Sequence, residues 1–177
     1  MMIELSVIRD FVAIFGVIAG FSYYVLTVRN QQKNQLQQLE TRQAQLFMPL
    51  YSNVHDREFL KTIIPILLEW EWTDYDDFHS KYGAQNIDEY SRFYTILDYF
   101  EGIGVLVKRG LIDISFIDDL FSGLIVMYWE KLESIIMEIR VKMNWPQAGE
   151  YFEYLYKEIK ERVEEQHPEM RDSIKTT

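Results

Sequence analysis

The stretch FVAIFGVIAGFSYYVLTV, Phe11–Val28, runs 18 residues without a charge and is closed by Arg9 and Asp10 on one side and Arg29 on the other. At ~1.5 Å rise per residue a helix of that length spans roughly 27 Å, close to the hydrocarbon thickness of a bilayer. Ten of the 18 are Phe, Val, Ile or Leu. Each is worth about 0.3 to 0.6 kcal/mol of insertion free energy, so the stretch gains roughly 3 to 6 kcal/mol before its small and polar residues subtract from it. The sequence therefore predicts one transmembrane helix. The competing readings are a core helix of a soluble domain and a cleaved signal peptide. Glu4 and Asp10 ahead of the apolar run, and the lack of a small-x-small site before its charged end, speak against cleavage.

The flanks set an orientation. Arg29, Lys33 and Arg42 follow the apolar run, whereas Arg9 and the amino terminus precede it, so the excess of positive charge predicts an N-terminus outside and a C-terminal domain in the cytoplasm of a single-pass cell-membrane protein. Tyr23 and Tyr24 suit the inner headgroup region, where an amphipathic ring has one apolar and one wet neighbour. Ala13, Gly16 and Gly20 share one helical stripe, and Gly16 with Gly20 makes a G-x-x-x-G through which two helices could approach closely. Helix association through that face is one expectation and plain tolerance of small residues the other.

Beyond Val28 the composition changes. The whole chain of 177 residues carries a formal charge of −10, and 17 Lys plus Arg against 26 Asp plus Glu lie after Val28, so the acidity belongs to the C-terminal part. No clustered basic run appears there outside the short membrane-proximal stretch, which argues against a phosphate-tracking surface and predicts no nucleic-acid partner. The absence of cysteine excludes disulfides, thiolate nucleophiles and Cys-ligated metals.

The remaining pattern is helical. Residues 29–50, Gln-rich, without Gly and without Pro before Pro49, read as a juxtamembrane helix carrying the membrane helix outward, with Leu36, Leu39, Leu46 and Leu50 as a partial heptad seam interrupted at Gln43. Asp56 is placed to cap a helix running to about Glu71 with Pro65 as a kink. Thr73 opens a short acidic helix that stops at Gly83, and Asp88–Arg109 gives a third, closed by Gly110. Asp113 or Ser115 caps a fourth, Ser115 and Asp118 making a capping box before a face that includes Leu120, Phe121, Leu124 and Tyr128; it ends near Asn144. A last helix, about 147–166, buries Tyr151, Phe152, Leu155, Tyr156, Ile159 and Val163. Period-2 strands are absent. The expected fold is all-α: a short tail (1–10), a transmembrane helix (11–28) continuing through a juxtamembrane helix (29–50) into a cytosolic bundle of four to six helices (51–166), and a tail (167–177).

Candidate chemistry is sparse. Glu69, Glu71, Asp74, Asp76 and Asp77, interleaved with Trp70, Trp72 and Tyr75, form the densest polar and aromatic cluster, and Trp72, Asp74 and Asp77 are the residues expected at an interaction surface. It is not an EF-hand loop, because His79 stands where the glycine belongs and Gln85 where the closing glutamate belongs. Gly102 and Gly104 in DYFEGIGVLVKRG lack the strand and third glycine of a phosphate loop and read as a close helix crossing. Glu101, beside the apolar face, calls for a buried partner, for which Arg92 and Arg140, together with Lys108, are the candidates. No catalytic, cofactor-binding or metal-ligating residue is nominated, and no cofactor is expected. Arg162 and His167 have the R-x4-H spacing that resembles HEPN-type ribonucleases, whose Arg and His act on RNA at a dimer interface, but Val163 replaces the usual polar residue after the arginine.

Taken together, YYVLTVRNQQK after the apolar run, W-x-D-x-x-D-F (Trp72, Asp74, Asp77, Phe78), FEGIGVLVKRGLID from Phe100 to Asp113, and Trp129 with Glu130 resemble an uncharacterised family of small bacterial and archaeal single-pass membrane proteins with a helical cytosolic domain, a domain of unknown function. The resemblance covers most of the chain to about residue 160 and implies the same topology, with no activity, cofactor or catalytic residue. The functional expectation is a non-enzymatic, membrane-anchored scaffold that presents an acidic helical surface to an unidentified cytosolic protein or, as a homo-oligomer, to itself. The alternative is a membrane effector whose cytosolic domain binds a small ligand.

Overall fold

A computed structural model of the chain describes residues 2–166, and among them every element is an α-helix. The elements in order are α1 (Met2–Val54), α2 (Arg57–Leu68), α3 (Tyr75–Tyr82), α4 (Ile87–Lys108), α5 (Ile114–Lys142) and α6 (Glu150–Gln166). Two compact units divide the chain, Met1–Gln45 and Leu46–Thr177. The division falls where Pro49, which has no N–H to donate, leaves the Gln45 carbonyl without its helical partner.

The first unit is the long N-terminal part of α1. The apolar window inside it has a mean hydropathy of 2.0 and buries none of its residues, which makes it one helix long and apolar enough to cross a membrane. A helix that is apolar all round and has no protein packed on it needs another apolar medium.

The second unit begins five residues before the expected bundle boundary. Phe47 is buried, and Leu46 and Leu50 pack against the core. Phe47 sits 5.6 Å from the ring of Phe116 and 5.9 Å from that of Phe121. Within this unit α6 lies against both α4 and α5, α2 packs on α4, and α3 spans α4 and α5. Ile96, Leu97, Phe100 and Ile103 of α4 meet Phe152, Leu155 and Ile159 of α6 and Ile125, Trp129, Leu132 and Ile136 of α5 in one core.

The caps explain where the helices begin and end. Asp56 accepts from the N–H groups of Glu58 and Phe59, both at 2.9 Å, and so starts α2. Asp74, one residue after the expected Thr73, caps α3 by accepting from Asp77 N–H at 2.9 Å. Asn86 precedes α4 without a side-chain cap bond. Gly110 takes φ +64 as expected of a helix terminator, and Leu111 N–H reaches back to the Leu106 carbonyl at 2.9 Å. Asp113, not a Ser115–Asp118 box, caps α5: its carboxylate accepts from both the N–H and the hydroxyl of Ser115, while Asp118 turns inward. Asn144 with φ 49 and Gly149 with φ 65 end α5 at Lys142 and delay α6 to Glu150, later than the expected residue 147. On α5 the expected core residue Leu120 is 52% exposed, and Trp129, one residue past the Tyr128 of the expected face, is fully buried.

Candidate functional site

The segment Phe100–Gly104 is built around the start of α6. Gly149 cannot cap with a side chain, so the first N–H groups of α6 need an acceptor from elsewhere. Glu101 supplies it, accepting from Phe152 N–H at 2.6 Å across 51 residues of sequence. Burial pushes the Glu101 carboxyl above its ordinary value, against the opposing pull of the backbone N–H groups of Phe152, Tyr151 and Glu150. One turn on, Gly104 lets the α6 backbone touch α4, because a Cβ there would fall 2.2 Å from the Tyr151 carbonyl oxygen. Phe100 stacks on Phe152 at 4.7 Å between centroids. Gly102 has no such duty; a Cβ on it meets nothing within 4 Å. The close crossing expected of both glycines therefore belongs to Gly104 alone.

The polar network expected among Glu101, Arg92 and Arg140 does not form, since each residue meets a different backbone need. Pro65 leaves the Lys61 carbonyl without its i+4 donor, and Arg92 Nη1 donates to that carbonyl at 2.7 Å and to the Thr62 carbonyl at 3.2 Å. Arg140 donates through Nε to the Ala148 carbonyl at 2.8 Å and pairs with Glu153 at 2.7 Å, tying the α5–α6 turn to both helices. Glu153 also holds Lys157, and the hydrogen bond from Lys157 and then that from Arg140 keep its carboxyl below the ordinary range. Each of the three bonds to a main-chain group, 51 residues away for Glu101, 31 for Arg92 and eight for Arg140, which also keeps a carboxylate partner in Glu153.

The acidic and aromatic cluster is likewise occupied with building the chain. Trp72 packs edge-on against Phe78, Asp74 caps α3, and Asp77 accepts from Thr73 N–H at 3.1 Å while pairing with Lys81 at 2.8 Å. The Lys81 hydrogen bond holds the Asp77 carboxyl below its ordinary value. From α5, Lys131 donates to the Trp70 carbonyl at 2.8 Å and lies over the Trp72 ring, and Lys142 pairs with Asp76 at 3.0 Å. Trp72, Asp74 and Asp77 are thus brought together, as the start of a helix. Among the described residues no group of three or more His, Asp or Glu is placed to hold a metal ion.

In α1, Gly16 and Gly20 face open space, with nothing within 4 Å of an added Cβ, and Ala13 is exposed. Arg162 bonds to Asp118, with Nε 3.3 Å from Oδ2, and His167 lies outside the described residues.

A groove that the sequence reading did not single out opens between α5 and α6. It encloses about 490 Å³ and is lined by Asp118, Asp119, Ser122 and Gln166 and by Gly123, Val126, Met127 and Val163. Asp118, the only buried charged residue among those described, is its one sequence signal: an acid interrupting an otherwise apolar stripe at Ile117, Phe121 and Ile125. Three further buried polar atoms, Tyr128 Oη, Trp129 Nε1 and Arg140 Nη2, have no hydrogen-bond partner among the described residues.

Compared with known proteins, the chain matches the family model of a domain of unknown function, DUF4760, over residues 11–159. That span takes in the apolar part of α1 and the bundle as far as Ile159 of α6. No curated protein and no solved structure matches.

Proposed function

The chain belongs to the DUF4760 domain family, and on that premise we propose that it is a single-pass membrane protein whose acidic helical bundle is a non-enzymatic interaction module, presented on the cytoplasmic face to a protein partner or a second copy. The observation that carries the reading is the unburied apolar window of α1, since a soluble helix with that composition would be covered by its own domain. Arg29, Lys33 and Arg42 after the window support the inward orientation. The bundle supports an interaction role in a second way. Residues 46–166 carry 12 Lys plus Arg against 23 Asp plus Glu, a field that repels nucleic acid and attracts basic protein surfaces.

The cysteine-free chain suits a labelling test. Ser6→Cys should react with a membrane-impermeant maleimide on intact cells and Glu165→Cys only after lysis, with the protein resisting alkaline carbonate extraction. Release by carbonate would remove the membrane reading, and outside labelling of Glu165→Cys would invert the orientation. A monomer without partner in native mass measurement and in pull-down from membranes would refute the interaction role.

A further inference from the structure

The α5–α6 groove joins a polar end to an apolar floor. Its volume of about 490 Å³ falls within the roughly 300 to 1,000 Å³ typical of small-molecule sites. Ser122 and the two aspartates lie toward the start of α5, and Gln166 faces them from α6; Gly123, Val126 and Met127 follow along α5.

The polar end has unspent acceptor capacity. Asp118 is only 9% exposed, and both of its donors, Arg162 Nε at 3.3 Å and Gln166 Nε2 at 3.2 Å, reach the same oxygen, Oδ2. Among the described residues Oδ1 accepts no hydrogen bond, and Asp119 makes no ion pair. A carboxylate oxygen without a donor can take a charge-assisted hydrogen bond from a ligand that enters the groove. With Arg162 offsetting one of the two aspartates, the local charge remains negative. Among the described residues no third acidic or imidazole ligand joins the two aspartates to hold a bare metal ion. An ammonium group, with three N–H donors and one positive charge, meets the demand of Asp118, Asp119 and Ser122 together.

The floor asks for an apolar tail. Gly123 sits in the interior of α5, where glycine costs about 1 kcal/mol against alanine, yet a Cβ there would touch nothing within 4 Å. No packing among the described residues requires this glycine. Its bare backbone widens the groove beside Met127 and Val163.

We propose that this groove binds a small organic ammonium ion with an apolar tail, the ammonium at Asp118 and Asp119 and the tail over Gly123 and Met127. The site lies wholly within the bundle, so it goes beyond the anchoring role and stands without it.

The test is titration calorimetry on the full chain in nanodiscs of zwitterionic lipid, with 2-phenylethylammonium as the probe, 2-phenylethanol as its uncharged counterpart, and empty nanodiscs as the blank. Saturable one-to-one binding of the ammonium is expected, weakened tenfold or more by Asp119→Asn. Gly123→Leu, which fills open space, should abolish binding while leaving the melting temperature at or above that of the parent. Equal binding of the alcohol would overturn the proposal, as would binding that survives Gly123→Leu or no saturable binding up to about 10 mM. If Gly123→Leu melts early, Asp119→Asn on the surface still decides the matter, because unchanged affinity in that variant refutes the charge recognition.

Discussion

Gly104→Ala is a substitution for which helix propensity and tertiary structure predict opposite signs. In the interior of α4 alanine should stabilise by about 1 kcal/mol. The new Cβ, however, would fall 2.2 Å from the Tyr151 carbonyl oxygen, 2.7 Å from the carbonyl carbon and 2.9 Å from Tyr151 Cβ. Those are main-chain atoms that no rotamer change can remove, so the start of α6 must retreat by about 1 Å to restore van der Waals distance. Retreat stretches the 2.6 Å bond from Phe152 N–H to Glu101 toward the limit of hydrogen bonding and opens the Phe100–Phe152 stack. Losing a hydrogen bond to a charged acceptor costs about 1.5 to 3 kcal/mol, and overpacking a further 1 to 3 or so. After the propensity gain the net loss is about 2 to 5 kcal/mol, a fall in Tm of roughly 8 to 20 °C for a bundle of this size. Near-UV circular dichroism of the full chain in detergent follows it, because Trp129 lies edge-on to Phe152 at 5.1 Å. Gly102→Ala is the internal control and should melt no earlier than the parent. Gly104→Ala melting within about 2 °C of the parent, or both variants shifting the same way, would refute the close approach.

Three further outcomes follow from the same contacts. Arg92→Ala should cost about 1 to 2 kcal/mol in the parent but less beside Pro65→Ala, whose restored N–H satisfies the Lys61 carbonyl; a double-mutant cycle in urea should show about 0.5 to 1.5 kcal/mol of coupling, and additivity would contradict the role given to Arg92. Tyr128→Phe removes a buried hydroxyl without a partner and should leave the urea midpoint unchanged or raise it, whereas a loss above about 1 kcal/mol would reveal a partner for that oxygen. Glu101, its carboxyl held above the ordinary 4.5 by burial, binds its proton more tightly in the folded than in the unfolded chain. The stabilisation it gives is therefore full below pH 4.5 and is lost as pH rises through the folded value, so the parent should lose stability relative to Glu101→Gln across that window. Parallel pH profiles for the two proteins would contradict this.

What the sequence made legible was local. Apolar spacing identified α4 and most faces of α5 and α6, and Asp56, Gly83, Gly110 and Asp113 marked helix ends because capping is decided within a few residues. Phe47 joins the core in part through Phe116 and Phe121, some 70 residues away, and periodicity carries no information about such partners. Leu120 was placed inside for a related reason. On a helix as long as α5 (Ile114–Lys142), one apolar stripe cannot show which turns a neighbour covers.

The polar residues were misassigned for a deeper physical reason. Reading Glu101 against Arg92 and Arg140 matched charge to charge, yet Arg92 and Glu101 each meet a main-chain group orphaned by something the sequence states openly, Pro65 for the Lys61 carbonyl and the uncapped start after Gly149 for the N–H groups of α6, while Arg140 bonds to the Ala148 carbonyl and pairs with Glu153. Buried backbone groups are more numerous than buried charges, and leaving one unmet costs as much as a lost hydrogen bond. An inward-facing charged residue is therefore better assigned by asking which proline or glycine has stranded a backbone group. That rule finds Arg92 once Pro65 is seen to lie in a helix, and Glu101 once Gly149 is seen to begin one. It leaves Asp118 unassigned, since no proline or glycine near it strands a donor for its second oxygen, which is why the α5–α6 groove, and not the acidic aromatic cluster around Trp72, is the place to look for a ligand.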